Sequence, residues 1–120
     1  MPDLAVNRKA AFDYEILETH EAGIELRGFE VKSVRAGHMQ LAGAFTLIRG
    51  GEAWLVNASI PPYQNANTPA DYDPVRPRRL LLHRHELEEL IGKTAQKGLT
   101  LVPLRIYTKG PRVKVAFGLA

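Results

Sequence analysis

The run Arg76-Pro77-Arg78-Arg79-Leu80-Leu81-Leu82-His83-Arg84 carries four arginines and no acid. A guanidinium is a planar fork of donors that fits phosphate oxygens and also stacks on bases, so this run has the chemistry of a polyanion site. A second donor cluster, Asn7-Arg8-Lys9, stands near the N-terminus. Between the two, Lys32 and Arg35 lie three apart and share one helical face, while Glu30 and Ser33 share the adjacent one. A carboxylate among cations has two uses. It is most often their ion-pair partner, and it can also accept hydrogen bonds from base amino groups or 2′-hydroxyls.

The charge distribution agrees with a polyanion partner. Residues 1–60 sum to −2 and residues 61–120 to +5, giving the net +3 of the 120-residue chain. After Glu89 no acid follows, whereas Lys93, Lys97, Arg105, Lys109, Arg112 and Lys114 do. Such polarity steers polyanions toward one side of a molecule, although a solvated face has the same composition. Aromatic residues for base stacking are few, and Trp54, Tyr63 and Tyr72 serve equally well as core.

Other chemistries find no support. There is no Cys, which excludes disulfides and thiolate metal sites and suits a reducing cytoplasm. His83 and His85 diverge at i, i+2 on a helix with no third ligand at a familiar spacing. Gly92-Lys93-Thr94 imitates the end of a phosphate loop, but the earlier glycine it needs is Leu87. Ser33 and Ser59 are the two serines, and neither stands in a nucleophile elbow. Glutamates 15, 18, 21 and 25 read as a solvated hairpin face. No enzyme, cofactor or metal is expected. No apolar run approaches the ~20 residues that span a bilayer, and the N-terminus lacks a secretory layout.

The elements that must position the donors follow from periodicity. Alternation over residues 13–27 predicts a hairpin turning near Glu21-Ala22-Gly23, and Phe29 to Ala36 predicts a short helix with Val31 and Val34 inward. Residues 44–48 and 52–60 predict a second hairpin around Gly50-Gly51. Pro61 to Pro77, with five of the eight prolines, reads as a long irregular segment. From His83, Leu87, Leu90 and Ile91 predict an amphipathic helix ended by Gly92, with a further helical turn through Thr94–Lys97. Residues 99–108 and 112–119 predict a third hairpin, Val113, Val115 and Phe117 facing in, and Pro103 demands an open edge or a bulge. One domain over residues 1–120 results: mainly β, a small antiparallel barrel with two to three short helices.

The ordered landmarks Asn7-Arg8-Lys9-Ala10, Asp13-Tyr14, Glu21-Ala22-Gly23, Gly28-Phe29-Glu30-Val31-Lys32-Ser33, Arg35-Ala36-Gly37, Asp73-Pro74, Arg78-Arg79-Leu80-Leu81-Leu82-His83, Leu90-Ile91-Gly92-Lys93 and Gly98 to Leu104 are similar to those of the SsrA-binding protein (small protein B) family. This resemblance spans almost the whole chain. It implies an oligonucleotide-binding-like barrel that grips the tRNA-like domain of transfer-messenger RNA in trans-translation. It further implies delivery to stalled ribosomes, with functional association with elongation factor Tu and alanyl-tRNA synthetase, in the cytoplasm and without a membrane. By position it implies RNA contacts at Asn7, Arg8, Lys9, Glu30, Lys32, Ser33, Arg35 and Gly37. Arg76, Arg78, Arg79 and His83 form a second basic face. Phe29 and His38 depart from the family pattern, and the basic C-terminal tail that the family carries after this point is read as absent from this chain. A generic single-strand-binding barrel is the competing reading, and a protein–protein adaptor a third.

Overall fold

A computed structural model describes residues 3–64 and 68–120, without the side chains of Gln96 and Lys97. Asn65 and Asn67, part of the expected irregular segment, lie outside the described residues. Among the described residues seven strands and three helices succeed one another: β1 (Asp3–Val6), α1 (Ala10–Asp13), β2 (Glu18–Ile24), α2 (Gly28–Arg35), β3 (Phe45–Arg49), β4 (Glu52–Val56), β5 (Arg78–Leu81), α3 (Arg84–Lys97), β6 (Leu101–Lys109) and β7 (Arg112–Leu119). All strand pairs are antiparallel. The sequence β6-β3-β4-β5-β2-β7 closes on itself because β7 also pairs with β6, and β1 adds to the far half of β6. The closure between β3 and β6 is narrow, a single register pair, Thr46 opposite Leu101. A closed antiparallel ring with three short helices agrees with the fold class read from the sequence.

Alternation decides which residues fill the ring. Val113, Val115 and Phe117 of β7 are buried, as are Leu55 of β4, Leu80 of β5 and Ile106 of β6. Burying each such side chain stabilises the fold by about 1.5–3 kcal/mol. Gly50 and Gly51 both take positive φ at the β3–β4 turn, which a two-residue hairpin loop with right-handed twist requires. The bulge expected at Pro103 is present, a register shift between Pro103 and Arg105 against β7.

Two local expectations fail, each for a tertiary reason, and one unassigned stretch gains a structure. The turn at Glu21-Ala22-Gly23 is absent, and β2 runs straight through it because β7 pairs with every residue from Glu18 to Gly23. Gly92 does not end α3. The helix continues to Lys97 and stops at Gly98, whose φ of 63° is left-handed, where a Cβ is costly. Part of the arginine-rich run is a strand, β5, which joins β4 to β2 and turns Arg78 and Leu80 inward.

Candidate nucleic-acid interface

The arginine-rich run and α2 meet inside the molecule. Glu30 begins α2 by accepting the Arg27 backbone N–H at 2.8 Å, and its side chain is then driven inward with Ser33 and Val34. There Arg78, also fully buried, donates from Nε and Nη2 to Glu30 Oε2 at 2.9 and 2.7 Å. Its remaining N–H groups reach the carbonyls of Ala58, Arg76 and Pro74 and the Tyr72 hydroxyl. Arg76 closes the other side, with Nη2 2.5 Å from Oε1 and Nε 3.1 Å from Oε2. The Tyr72 hydroxyl lies 3.0 Å from Oε2 and 2.7 Å from the Ile60 carbonyl.

A buried charge is tolerated only when paired and fully hydrogen-bonded, and this cluster meets that condition. Burial pushes the Glu30 carboxyl up, but the bonds from Arg76, the Arg27 backbone and Arg78 outweigh it and hold the group at about 2. Burial and the neighbouring Glu30 push the Tyr72 hydroxyl up, so it stays a donor. The cluster ties α2, β5 and the segment between β4 and β5 into one unit.

Glu30, Ser33 and Arg78, expected as contacts, are turned away from the surface. Ser33 is buried and donates to the Pro61 carbonyl at 2.6 Å, and Glu30 and Arg78 have no exposed surface. In this structure they hold α2, β5 and the segment between β4 and β5 together. Arg76 retains some exposure but spends its guanidinium on Glu30. Arg79 points outward from β5 toward Glu25 at 3.0 Å and Glu52 at 3.8 Å.

With Glu30 and Ser33 turned in, Lys32 and Arg35 project from the opposite face of α2, and Arg35 Nη2 donates to the Pro111 carbonyl at 2.7 Å. Gly37 makes the turn after the helix with φ of 84°. Asn7 is bolted to β6: its Nδ2 donates to the Pro103 carbonyl at 2.8 Å and its backbone N–H to Leu104 at 2.8 Å. That anchor leaves Arg8 and Lys9 exposed beside a cavity of about 420 Å³, which exposed Tyr14 and Phe45 also line. No hydrogen bond or ion pair among the described residues links this cluster to Lys32 and Arg35.

His83 stands elsewhere, lining a groove of about 770 Å³ beside β2 and β7. His20 and Glu21 come from β2, Leu81 from the end of β5, His83 from the N-cap of α3, Glu86 from its first turn, and Arg112 and Lys114 from β7. The His20 ring stacks on Phe117 at 5.6 Å and its Nε2 sits 2.9 Å from Glu18. Two cations, two imidazoles and two carboxylates on one groove can hold phosphates and hydrogen-bond base edges or 2′-hydroxyls together. Sequence reading missed this groove as a site. Its signal was the outward half of the β7 alternation, Arg112 and Lys114, but the opposing residues come from chain positions up to about ninety residues away.

Against known proteins, the family model described as "SmpB protein" matches residues 4–120. The SsrA-binding protein of Thermosynechococcus vestitus is 56% identical over 117 residues, covering 98% of this chain and 77% of that protein. That of Gloeothece citriformis is 59% identical over 114 residues, 95% of this chain and 74% of the other. A solved chain described under "tmRNA-SmpB: a journey to the center of the bacterial ribosome" superposes with a TM-score of 0.73 at 54% identity, covering 95% of this chain and 80% of that one. With the ring, the landmarks and more than nine-tenths of the chain matching together, this chain belongs to the SmpB family.

Proposed function

We propose that the chain binds transfer-messenger RNA through its tRNA-like domain and acts with it in trans-translation on the ribosome. The SsrA-binding relatives and the solved tmRNA–SmpB chain support the RNA and the ribosome as partners. Support of alanine charging and of delivery by elongation factor Tu completes the reading, which is of a cytoplasmic binding protein without turnover.

One observation carries the reading at the level of residues. Arg8, Lys9, Lys32, Arg112 and Lys114 form no ion pair within 4 Å among the described residues, while Arg76 and Arg78 are committed to Glu30. The uncommitted cations are the ones free to release counterions from an RNA backbone. The RNA-facing set is accordingly Asn7-anchored Arg8 and Lys9, the outer face of α2 with Lys32 and Arg35, and the His83 groove.

A gel-shift titration tests this, comparing folded tRNA-like RNA with a scrambled single strand of equal length at several salt concentrations. Folded RNA should bind more tightly, and the affinity should fall steeply with salt, since structured RNA is recognised by backbone shape and 2′-hydroxyls. Equal affinity for both RNAs would replace the reading with that of a generic single-strand barrel.

A further inference from the structure

On the outer face of the ring a line of side chains runs across four strands toward the groove. Asp3 of β1 lies 3.0 Å from Arg105 of β6, whose guanidinium sits 4.5 Å over the Tyr107 ring. The Tyr107 hydroxyl crosses β7 and donates to Oε2 of Glu21 on β2. Lys109 approaches Oε1 of the same carboxylate at 3.4 Å.

The crossing depends on β7. Lys114 pairs with Tyr107, and Ala116 pairs with Glu21 on one side and with Arg105 on the other, so the phenol passes diagonally between these two outward residues, and Ala116 is the one beside Glu21. It is a methyl group, and it is buried although it faces away from the core. A longer side chain there would stand in the path of the phenol.

We propose that Tyr107 is a positioning residue of the RNA groove: it fixes the Glu21 carboxylate so that its remaining lone pairs accept N–H or O–H groups of RNA. This inference rests on the proposed RNA-binding function and deepens it. An ionised carboxylate accepts and never donates, and it repels phosphate. Within the groove Arg112 and Lys114 therefore suit the backbone, and Glu21 suits base amino or imino groups and 2′-hydroxyls. The bond from Tyr107 holds Glu21 below the usual carboxylate range, against the upward push of burial. Burial and Glu21 push the phenol up to about 12, so donor and acceptor keep these roles at neutral pH. Orientation is what Tyr107 supplies, since a free surface glutamate samples many rotamers and loses that freedom on binding.

The experiment uses Tyr107→Phe, Glu21→Ala and the double variant, titrated with folded tRNA-like RNA at several salt concentrations beside thermal melts. Tyr107→Phe removes the hydroxyl and keeps the ring under Arg105. It should weaken binding about three- to tenfold. Its salt slope should match the wild type, because every cation that meets a phosphate is still in place. In the Glu21→Ala background the same change should add nothing. Wild-type affinity in Tyr107→Phe overturns the proposal, and so does a loss that persists without Glu21 or that follows a lowered melting temperature. Absence of RNA binding by the wild-type chain overturns the functional reading and this proposal together. Binding by the wild type with an unaffected Tyr107→Phe overturns this proposal alone.

Discussion

Two glutamates, Glu30 and Glu21, each gather cationic groups and a tyrosine hydroxyl from distant parts of the chain, and they end in opposite roles. Glu30 has no exposed surface and takes four donors from Arg76 and Arg78, plus the Arg27 backbone N–H. Glu21 keeps 37% of its side chain exposed, with Tyr107 and Lys109 on one side and the groove on the other. The residue types are nearly the same. What separates a structural charge from a binding charge is how many of its hydrogen-bonding positions the fold has already filled. A saturated buried carboxylate can only position; a half-saturated one at a groove edge has something left to offer.

The comparison is tested hardest at Arg78. Arg78→Ala leaves Glu30 buried with half its arginine donors gone and opens space at the junction of α2 and β5. Removing one member of a buried ion cluster costs about 3–5 kcal/mol. Urea denaturation should show that loss, and RNA binding per folded molecule should change little. A variant as stable as the wild type would mean that Glu30 is hydrated and that the contrast with Glu21 is one of degree.

Acid titration gives the next effect. The Glu30 carboxyl is held at about 2 in the fold against an ordinary 4.5. A lowered carboxylate contributes its stability fully above the unfolded value and loses it as pH falls through the folded value. The contribution from Glu30 should therefore be complete above about pH 4.5 and be lost progressively down to about pH 2, amounting to about 3 kcal/mol. Glu30→Gln should be less stable at neutral pH and should show a flatter decline across that window. Equal acid slopes in the two proteins would remove Glu30 from the ionic core.

Much of the scaffold was legible in local pattern. The period-2 run Val113, Val115, Phe117, the Gly50-Gly51 turn and the helix over Phe29 to Ala36 each depend on neighbours in sequence, and each is present. What was not legible depends on partners far along the chain. Nothing near Glu21-Ala22-Gly23 announces that β7 will straighten it, and nothing near Arg78 announces that Glu30, 48 residues earlier, waits inside. Charge near charge in the sequence suggested Lys32 and Arg35 as the company of Glu30; the fold instead supplies Arg76 and Arg78 and frees the helix cations for the surface. The groove was hidden for the same reason, since Glu21, His83 and Arg112 share no local motif.

The smallest effect is the one that sharpens the assignment of the groove. Arg112 and Lys114 alternate with core valines, so their charged ends face outward whatever else the strand does, and neither forms an ion pair within 4 Å among the described residues. Replacing both with Ala should leave stability within about 0.5 kcal/mol, as surface changes away from special features do. RNA affinity should fall about tenfold, and the slope of log affinity against log salt should shrink by roughly 0.7–0.9 for each phosphate no longer neutralised. Arg84→Ala is the matched control. Arg84 belongs to the same arginine-rich run as Arg78, yet it is exposed and sits 3.4 Å from Glu88 one helical turn on, a pair worth only a few tenths of a kcal/mol. It does not line the groove. If Arg84→Ala weakens RNA binding as much as the Arg112 and Lys114 pair does, net charge and not the groove governs recognition. If only the β7 pair does, the contact lies where strands distant in sequence bring His83, Glu21 and two unpaired cations together.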